Sequence, residues 1–155
     1  MEPYRTFLIT GATRGIGRAL SDKLSGQGHL VVGIARHVDA GFPGVLYTAD
    51  LSSADETRVV LLKITENHEI HGIVNNVGVA LPQQLGNIDI QTFLNVMDIN
   101  LRVAVQITQA LVSNMKSRGW GRIVNVCSRA IFGATDRTAY AAAKSALVGC
   151  TRTWA

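Results

Sequence analysis

Thr6-Phe7-Leu8-Ile9-Thr10, followed at once by Gly11-Ala12-Thr13-Arg14-Gly15-Ile16-Gly17, is the stretch that decides how this chain folds. A short run of apolar and β-branched residues that stops at glycine predicts a buried strand. Behind it a helical pattern opens and continues through Leu24 to about Gln27. Gly11 permits the tight turn between the two, while Gly15 and Gly17 let backbone approach a diphosphate and let the helix pack on the strand. Free amides at such a helix N-terminus hold an anion. Strand before, helix after and a place within the first twenty residues make this a phosphate-holding βα turn rather than a chance cluster of glycines.

The pattern repeats outward from there. Residues 29–36, with Val31, Val32 and Ile34, predict the second strand, and 37–44, with Gly41, Pro43 and Gly44, a loop. Residues 45–49 predict a third strand running into Asp50-Leu51, and 54–68 an amphipathic helix carrying Val59, Val60, Leu61, Leu62 and Ile64. Gly72-Ile73-Val74 leads as a strand into Asn75-Asn76-Val77-Gly78. A single long helix is expected over 89–117, with Phe93, Val96, Met97, Ala104, Ile107 and Leu111 on one stripe and Asn100 in its interior. A fifth strand over 122–127 and a helix over 137–155 complete the alternation. With no internal repeat and no linker, residues 1–155 are expected to form one α/β domain. Right-handed crossovers then give a doubly wound parallel sheet of Rossmann type, in strand order 3-2-1-4-5, with helices on both faces.

Composition narrows the class of function. Of 155 residues, 47% are apolar and 17% charged, which excludes a disordered chain. The net charge of +4 is dispersed, with no Lys/Arg run and few aromatics for stacking bases. That argues against nucleic acid and for a phosphate-bearing small molecule. Cys127 and Cys150 stand at no metal or redox spacing, which suits a reduced, cytosolic setting and a role in buried packing. His68 and His71 have no further ligands at metal spacing, so no metal site is expected. There is no apolar span of 18 residues, and Met1-Glu2-Pro3-Tyr4-Arg5 lacks a signal-peptide profile. The expectation is a cytoplasmic protein that does not enter membranes.

The chemistry sits late in the chain, in Tyr140-Ala141-Ala142-Ala143-Lys144, with Ser128 twelve residues upstream. On a helix, Tyr140 and Lys144 share one face. An ammonium about 4 to 5 Å from a phenol stabilises the phenolate by roughly 3 to 4 kcal/mol at an effective dielectric of ~20. A tyrosine so placed is a candidate general acid or base. Ser128 ends the fifth strand, and open α/β sheets bind ligands at the carboxyl ends of their strands.

Together and in this order, the glycine turn with three residues between its first two glycines, Asn75-Asn76-Val77-Gly78, Asn100, Ser128 and Tyr140-x-x-x-Lys144 resemble the short-chain dehydrogenase/reductase family. Val77 replaces the family's usual alanine, and the Ser128 to Tyr140 spacing is one residue shorter than in many members. The resemblance implies hydride transfer between a nicotinamide cofactor and a carbonyl or alcohol carbon. Ser128 would then bond the substrate oxygen and Tyr140 exchange its proton. Lys144 would assist Tyr140 and hold the nicotinamide ribose, and Asn100 would orient a water that reaches Lys144.

Cofactor contacts are implied at Gly11, Thr13, Arg14, Gly15, Ile16, Gly17, Arg36, Asp50, Leu51, Asn76, Val77, Gly78, Tyr140 and Lys144, with Asn75 bracing the sheet. An acidic residue at the end of the second strand would select NAD(H), whereas a cation there suits the 2′-phosphate of NADP(H). This chain offers Ala35-Arg36, with Arg14 in the turn and Asp39 as a weaker acidic competitor. NADP(H) is therefore the expected cofactor.

The glycine turn and the Tyr140 to Lys144 segment look similar to the family's 3-oxoacyl-[acyl-carrier-protein] reductase group. This implies a small-molecule or acyl-carrier-linked carbonyl substrate and a homo-oligomer, either dimer or tetramer. The last helix ends at Thr153-Trp154-Ala155 without a stop signal, so the sequence is expected to continue in a longer protein. A non-catalytic dinucleotide-binding or regulatory module is the competing reading. A mere binding module has no need of Asn100, Ser128, Tyr140 and Lys144.

Overall fold

The computed structural model describes residues 4–155. Met1, Glu2 and Pro3, part of the N-terminal stretch read above for a signal peptide, lie outside them. Five strands form one parallel sheet in the order β3-β2-β1-β4-β5: β1 Thr6–Thr10, β2 Leu30–Ala35, β3 Val45–Thr48, β4 Gly72–Asn75 and β5 Arg122–Asn125. Register pairs such as Leu8 with Val32 and Leu8 with Ile73 place β1 at the centre. The apolar runs behave accordingly: Leu8, Ile9, Val31, Val32, Ile34 and Ile73 are almost wholly buried, as strands covered on both faces require. The expected doubly wound order is the observed one.

Helices α1 Gly15–Gly26, α2 Ala54–Asn67, α3 Ile90–Met97, α4 Val103–Ser117 and α5 Thr138–Trp154 cover the sheet. On α2 the buried residues are Thr57, Val60, Leu61 and Ile64, one stripe at helical spacing. Val59 and Leu62, counted above with the apolar face, are instead largely exposed. On α4, Val103, Ile107, Leu111 and Met115 join the same core as β1, β2 and β4. Among the described residues no helix is long and apolar enough to cross a membrane.

Two expectations need correction. The helix expected over 89–117 is interrupted by a π-helical turn, Asp98–Arg102, between α3 and α4. The cause is Asn100, whose Nδ2 donates to the carbonyl of Val96 at 2.8 Å. The side chain thereby takes the i−4 acceptor that the backbone ladder would use, and the ladder widens by one residue. Cys127 and Cys150, expected to be buried, are free thiols and only half-buried.

His68 and His71 serve the fold. His71 accepts from the Thr6 amide through Nδ1 at 3.1 Å and donates its own amide to the Thr6 carbonyl at 2.8 Å. Its carbonyl accepts from the Arg122 amide, so one residue ties the starts of β1, β4 and β5 together. His68 Nε2 shares a 3.0 Å hydrogen bond with the Tyr47 hydroxyl on the edge strand.

Candidate active site at the carboxyl edge of the sheet

The glycine turn has the backbone geometry its sequence predicts. Gly11 and Gly15 adopt φ of +63° and +55°, the left-handed region that side chains disfavour. Gly17 packs beneath the turn, where an added Cβ would meet the Gly11 carbonyl oxygen at 2.2 Å. α2 is capped by Ser53 Oγ and α3 by Asp89, whereas α1, like α5, has no side-chain cap and no acidic residue in its first turn. Its first amides therefore have no side-chain acceptor.

The turn is held from below by Thr10, whose bracing role the sequence analysis did not foresee. Its fully buried Oγ1 accepts from the amides of Asn76 and Val77 at 3.0 and 2.9 Å. In return Asn76 Nδ2 donates to the carbonyls of Thr10 and Gly11 at 2.9 and 3.3 Å. These bonds engage the side-chain amide of Asn76 with the turn rather than presenting it to the cleft. Asn75 braces the neighbouring strand, its Nδ2 donating to Asn125 Oδ1 at 2.8 Å. Thr10 could have been suspected as a hydroxyl at the end of the central strand, beside two asparagines on the strand paired to it.

Beside this turn a cleft of about 290 Å³ gathers Gly11, Thr13, Arg14, Arg36, Asp50, Leu51, Val77 and Gly78. Of the cofactor residues expected from sequence, Gly15, Ile16, Gly17, Asn76, Tyr140 and Lys144 do not line it; Ile16 is 65% exposed on the first turn of α1. Arg14 and Arg36 both border the cleft. Asp39 does not, because Arg18 holds it at 2.6 Å, and its other oxygen accepts from the Gly41 amide. The Ser52 amide and then the Ser52 hydroxyl, helped by the charge of Arg36, hold the Asp50 carboxyl below its usual range. His37 and Ser52, and a less polar end formed by Val79, Leu81, Val96 and Ile99, also line the cleft and were not foreseen. They come from loops and from α3 and the π turn, where no sequence motif marks them.

Beyond Gly78 and Val79, outside the lining of this cleft, stand the four residues expected from sequence to be catalytic. Lys144 is buried, 2% exposed, and its Nζ donates to the Val126 carbonyl at 2.8 Å. That bond docks α5 on the end of β5, two residues before Ser128. Burial lowers the Lys144 pKa, opposed in part by Cys127, whose Sγ also contacts the Lys144 carbonyl at 3.4 Å. The ammonium lies 5.6 Å from the centroid of the Tyr140 ring. Tyr140 is half-buried.

Asn100 completes the group from the π turn. Its Nδ2 donates to Val79 O and Val96 O at 2.7 and 2.8 Å, and its buried Oδ1 has no partner among the described residues. Seen from Gly78, where a Cβ would stand, Asn100 Oδ1 is 2.7 Å away and Lys144 Nζ 3.4 Å. An orphaned acceptor and a buried ammonium thus flank one glycine, an arrangement polar enough for a bridging water. Ser128 sits in extended conformation, its Oγ accepting from the Ala130 amide at 3.2 Å. That bond leaves its hydroxyl proton free to be donated.

The family model described as short chain dehydrogenase matches residues 5–155. The chain is 31% identical to the 3-oxoacyl-[acyl-carrier-protein] reductase FabG of Haemophilus influenzae, over 96% of the chain and 65% of that protein. It is 32% identical to the NADPH-dependent pterin aldehyde reductase of Arabidopsis thaliana, over 96% and 66%. A putative NAD(P)-dependent gluconate 5-dehydrogenase from Beutenbergia cavernae, solved with bound NADP at low occupancy, superposes with a TM-score of 0.89 at 29% identity, covering 96% of the chain and 64% of that structure. The chain spans about two thirds of the length of these relatives. With residues 5–155 matched by its model, the chain belongs to the short chain dehydrogenase family.

Proposed function

We propose that this protein is an NADP(H)-dependent oxidoreductase that reduces a carbonyl, or oxidises the corresponding alcohol, with Tyr140 as general acid and base. The observation that carries the reading is the convergence of the orphaned Asn100 Oδ1 and the buried Lys144 Nζ beside Gly78. A binding module gains nothing from burying an ammonium and an unpaired acceptor side by side.

The residues fit a dinucleotide. The uncapped start of α1 and the glycine turn would hold its diphosphate, Asp50 and Leu51 its adenine, and Arg14 and Arg36 a 2′-phosphate. When bound, the nicotinamide supplies or accepts the hydride. The protein's part is to place and move a proton. Ser128 donates a hydrogen bond from its hydroxyl to the substrate oxygen, keeping its own proton, and fixes that oxygen near Tyr140. Tyr140 gives its phenolic proton to that oxygen in reduction and takes it back in oxidation. Lys144 stabilises the phenolate so formed, and a water between Lys144 and Asn100 Oδ1 connects the pair to solvent.

Preference for NADP(H) rests on two arginines at the cleft with the nearby Asp39 engaged elsewhere. It is in keeping with the NADPH named for the pterin reductase and the NADP in the Beutenbergia structure. The substrate class is a small-molecule or acyl-carrier-linked carbonyl, and the exposed Ile90, Leu94 and Val105 on α3 and α4 suit packing into a homo-oligomer.

Fluorescence titration with NADPH and with NADH at one fixed salt concentration tests the cofactor. Tight NADPH and weak NADH binding is expected, and equal affinities would sink the 2′-phosphate argument. In an activity screen over ketones and acyl thioesters, Tyr140→Phe is expected to lower turnover about 10²- to 10⁴-fold while NADPH affinity stays within about twofold. Turnover within about threefold of the parent would remove Tyr140 from its role.

A further inference from the structure

We propose that Arg102 is a positioning residue for the adenine end of the cofactor cleft, and that the π turn links this end to the Asn100 and Lys144 group. The inference rests on the function proposed above. Arg102 closes the same five-residue turn that carries Asn100, yet its side chain points the other way.

Its guanidinium is committed at every nitrogen. Nη2 donates to the carbonyls of Leu51 and Ser52 at 2.8 and 3.2 Å, and Nη1 to Thr57 Oγ1 and Gln106 Oε1 at 3.3 and 2.9 Å. Nε and Nη2 grip both oxygens of Asp98, one turn back, at 2.9 and 2.5 Å. The bidentate pair fixes the plane of the fork, which a lone surface arginine lacks. Gln106 extends the clamp by donating to the Ala54 carbonyl at 2.9 Å.

What Arg102 holds is the short loop between β3 and α2. In that loop Asp50 Oδ1 accepts from the amide and hydroxyl of Ser52, and the Asp50 amide donates to Glu56. The conformation of Asp50, Leu51 and Ser52 in the cleft therefore depends on two carbonyls gripped from the π turn. Asn100, two residues before Arg102, makes its bonds to Val79 and Val96 at the opposite end. Residues two apart on a helix face nearly opposite directions, about 200° apart, so the turn that aims Asn100 at Val79 aims Arg102 at the loop between β3 and α2. One short segment thus addresses both regions.

Arg102→Met keeps much of the length and the apolar stem of the side chain but removes every donor. Hydrogen–deuterium exchange of the intact protein without cofactor is expected to speed at least about tenfold at residues 50–53, with β1 and β4 amides unchanged. The NADPH dissociation constant is expected to rise about tenfold, kcat at saturating NADPH to stay within about threefold, and Arg102→Lys to recover part of the affinity. Reduced nicotinamide mononucleotide, which has no adenine, should be used equally well by parent and variant. Unchanged exchange at 50–53 would overturn the proposal, as would an equal loss with the mononucleotide, which would mark a general weakening of the fold. Failure of the parent itself to bind NADPH would overturn the function proposed above and leave the exchange result to decide the role of Arg102.

Discussion

Gly78→Ala puts one methyl group at the junction of Asn100 and Lys144. The new carbon would stand 2.7 Å from Asn100 Oδ1, well inside ordinary contact, and 3.4 Å from Lys144 Nζ. Gly78 lies outside the left-handed region, so the substitution strains no backbone and its effect is steric. Asn100 cannot yield freely, because its Nδ2 is tied to Val79 O and Val96 O. Rotating it away breaks those bonds at about 0.5 to 1.5 kcal/mol each. Holding it in place costs the about 1 to 3 kcal/mol typical of overpacking. Either route destabilises by about 1 to 3 kcal/mol, a fall in Tm of roughly 3 to 10 °C for a chain of this size. Gly149→Ala is the internal control. It lies within α5 with nothing within 4 Å of its added Cβ. It is expected to raise stability by about 0.5 to 1 kcal/mol through reduced chain entropy. Thermal melting of both variants in one buffer decides the matter: a Gly78→Ala melt within about 1 °C of the parent would refute the packing of Asn100 and Lys144 around this glycine.

Thr10→Val is nearly isosteric and leaves the amides of Asn76 and Val77 without their acceptor, so urea denaturation is expected to show a loss of about 2 to 4 kcal/mol; no loss would mean the turn is not held from below. Ser53→Ala removes the cap that accepts from Glu56 and is expected to cost about 1 kcal/mol, measured the same way. Lys144 gives a pH signature. Burial lowers its folded pKa from the ordinary 10.5, so above that folded pKa the unfolded chain binds the extra proton and stability climbs with pH. The penalty of the buried ammonium is fully present below the folded pKa and gone once pH passes the ordinary 10.5. Denaturation at a series of pH values from neutral to about 10 should therefore show the parent gaining on Lys144→Met as pH rises, and parallel curves would contradict the burial.

The fold was legible because buried parallel strands need continuous apolar runs and the connections between them need punctuation. Phe7 to Ile9, Val31 to Ile34 and Ile73 to Val74 could only be strands once glycine, proline and helical periodicities fell between them. The π turn was not legible, because a side chain competing for the Val96 carbonyl leaves the apolar stripe of α3 and α4 almost intact. Val59 and Leu62 misled for a related reason: composition counts apolar residues without the angle at which a helix presents them. In the site, the residues expected from motif came together where backbone geometry dictated it, at Gly11, Asp50 and Gly78. Thr10, Arg102 and Ser52 escaped because their roles depend on distant partners or on a loop with no pattern of its own. The bond from the Asn76 amide to Thr10 Oγ1 spans 66 positions and that from Arg102 to the Leu51 carbonyl 51, and contacts so remote leave no local trace in the sequence.

Polar burial, more than apolar burial, separates this domain from a generic α/β sheet. Thr10, Asn75, Asn100, Thr108 and Lys144 are all buried, and all but Thr108 lie on β1, β4, the π turn and α5 around the carboxyl edge. A sheet selected for stability alone would fill those places with valine, leucine or methionine, because a buried amide or ammonium is stabilising only when fully bonded. Thr10 and Asn76 satisfy each other and fix the turn. Asn100 Oδ1 is left unsatisfied and Lys144 keeps donors beyond its single bond to Val126. Among the described residues His29 Nδ1 and Asn75 Oδ1 are also without a partner, but only Asn100 Oδ1 stands with the Lys144 ammonium beside Gly78. Asn100 Oδ1 and Lys144 Nζ thus approach one glycine with hydrogen-bonding capacity to spare, and a water bridging polar groups of this kind typically makes about two to four such bonds.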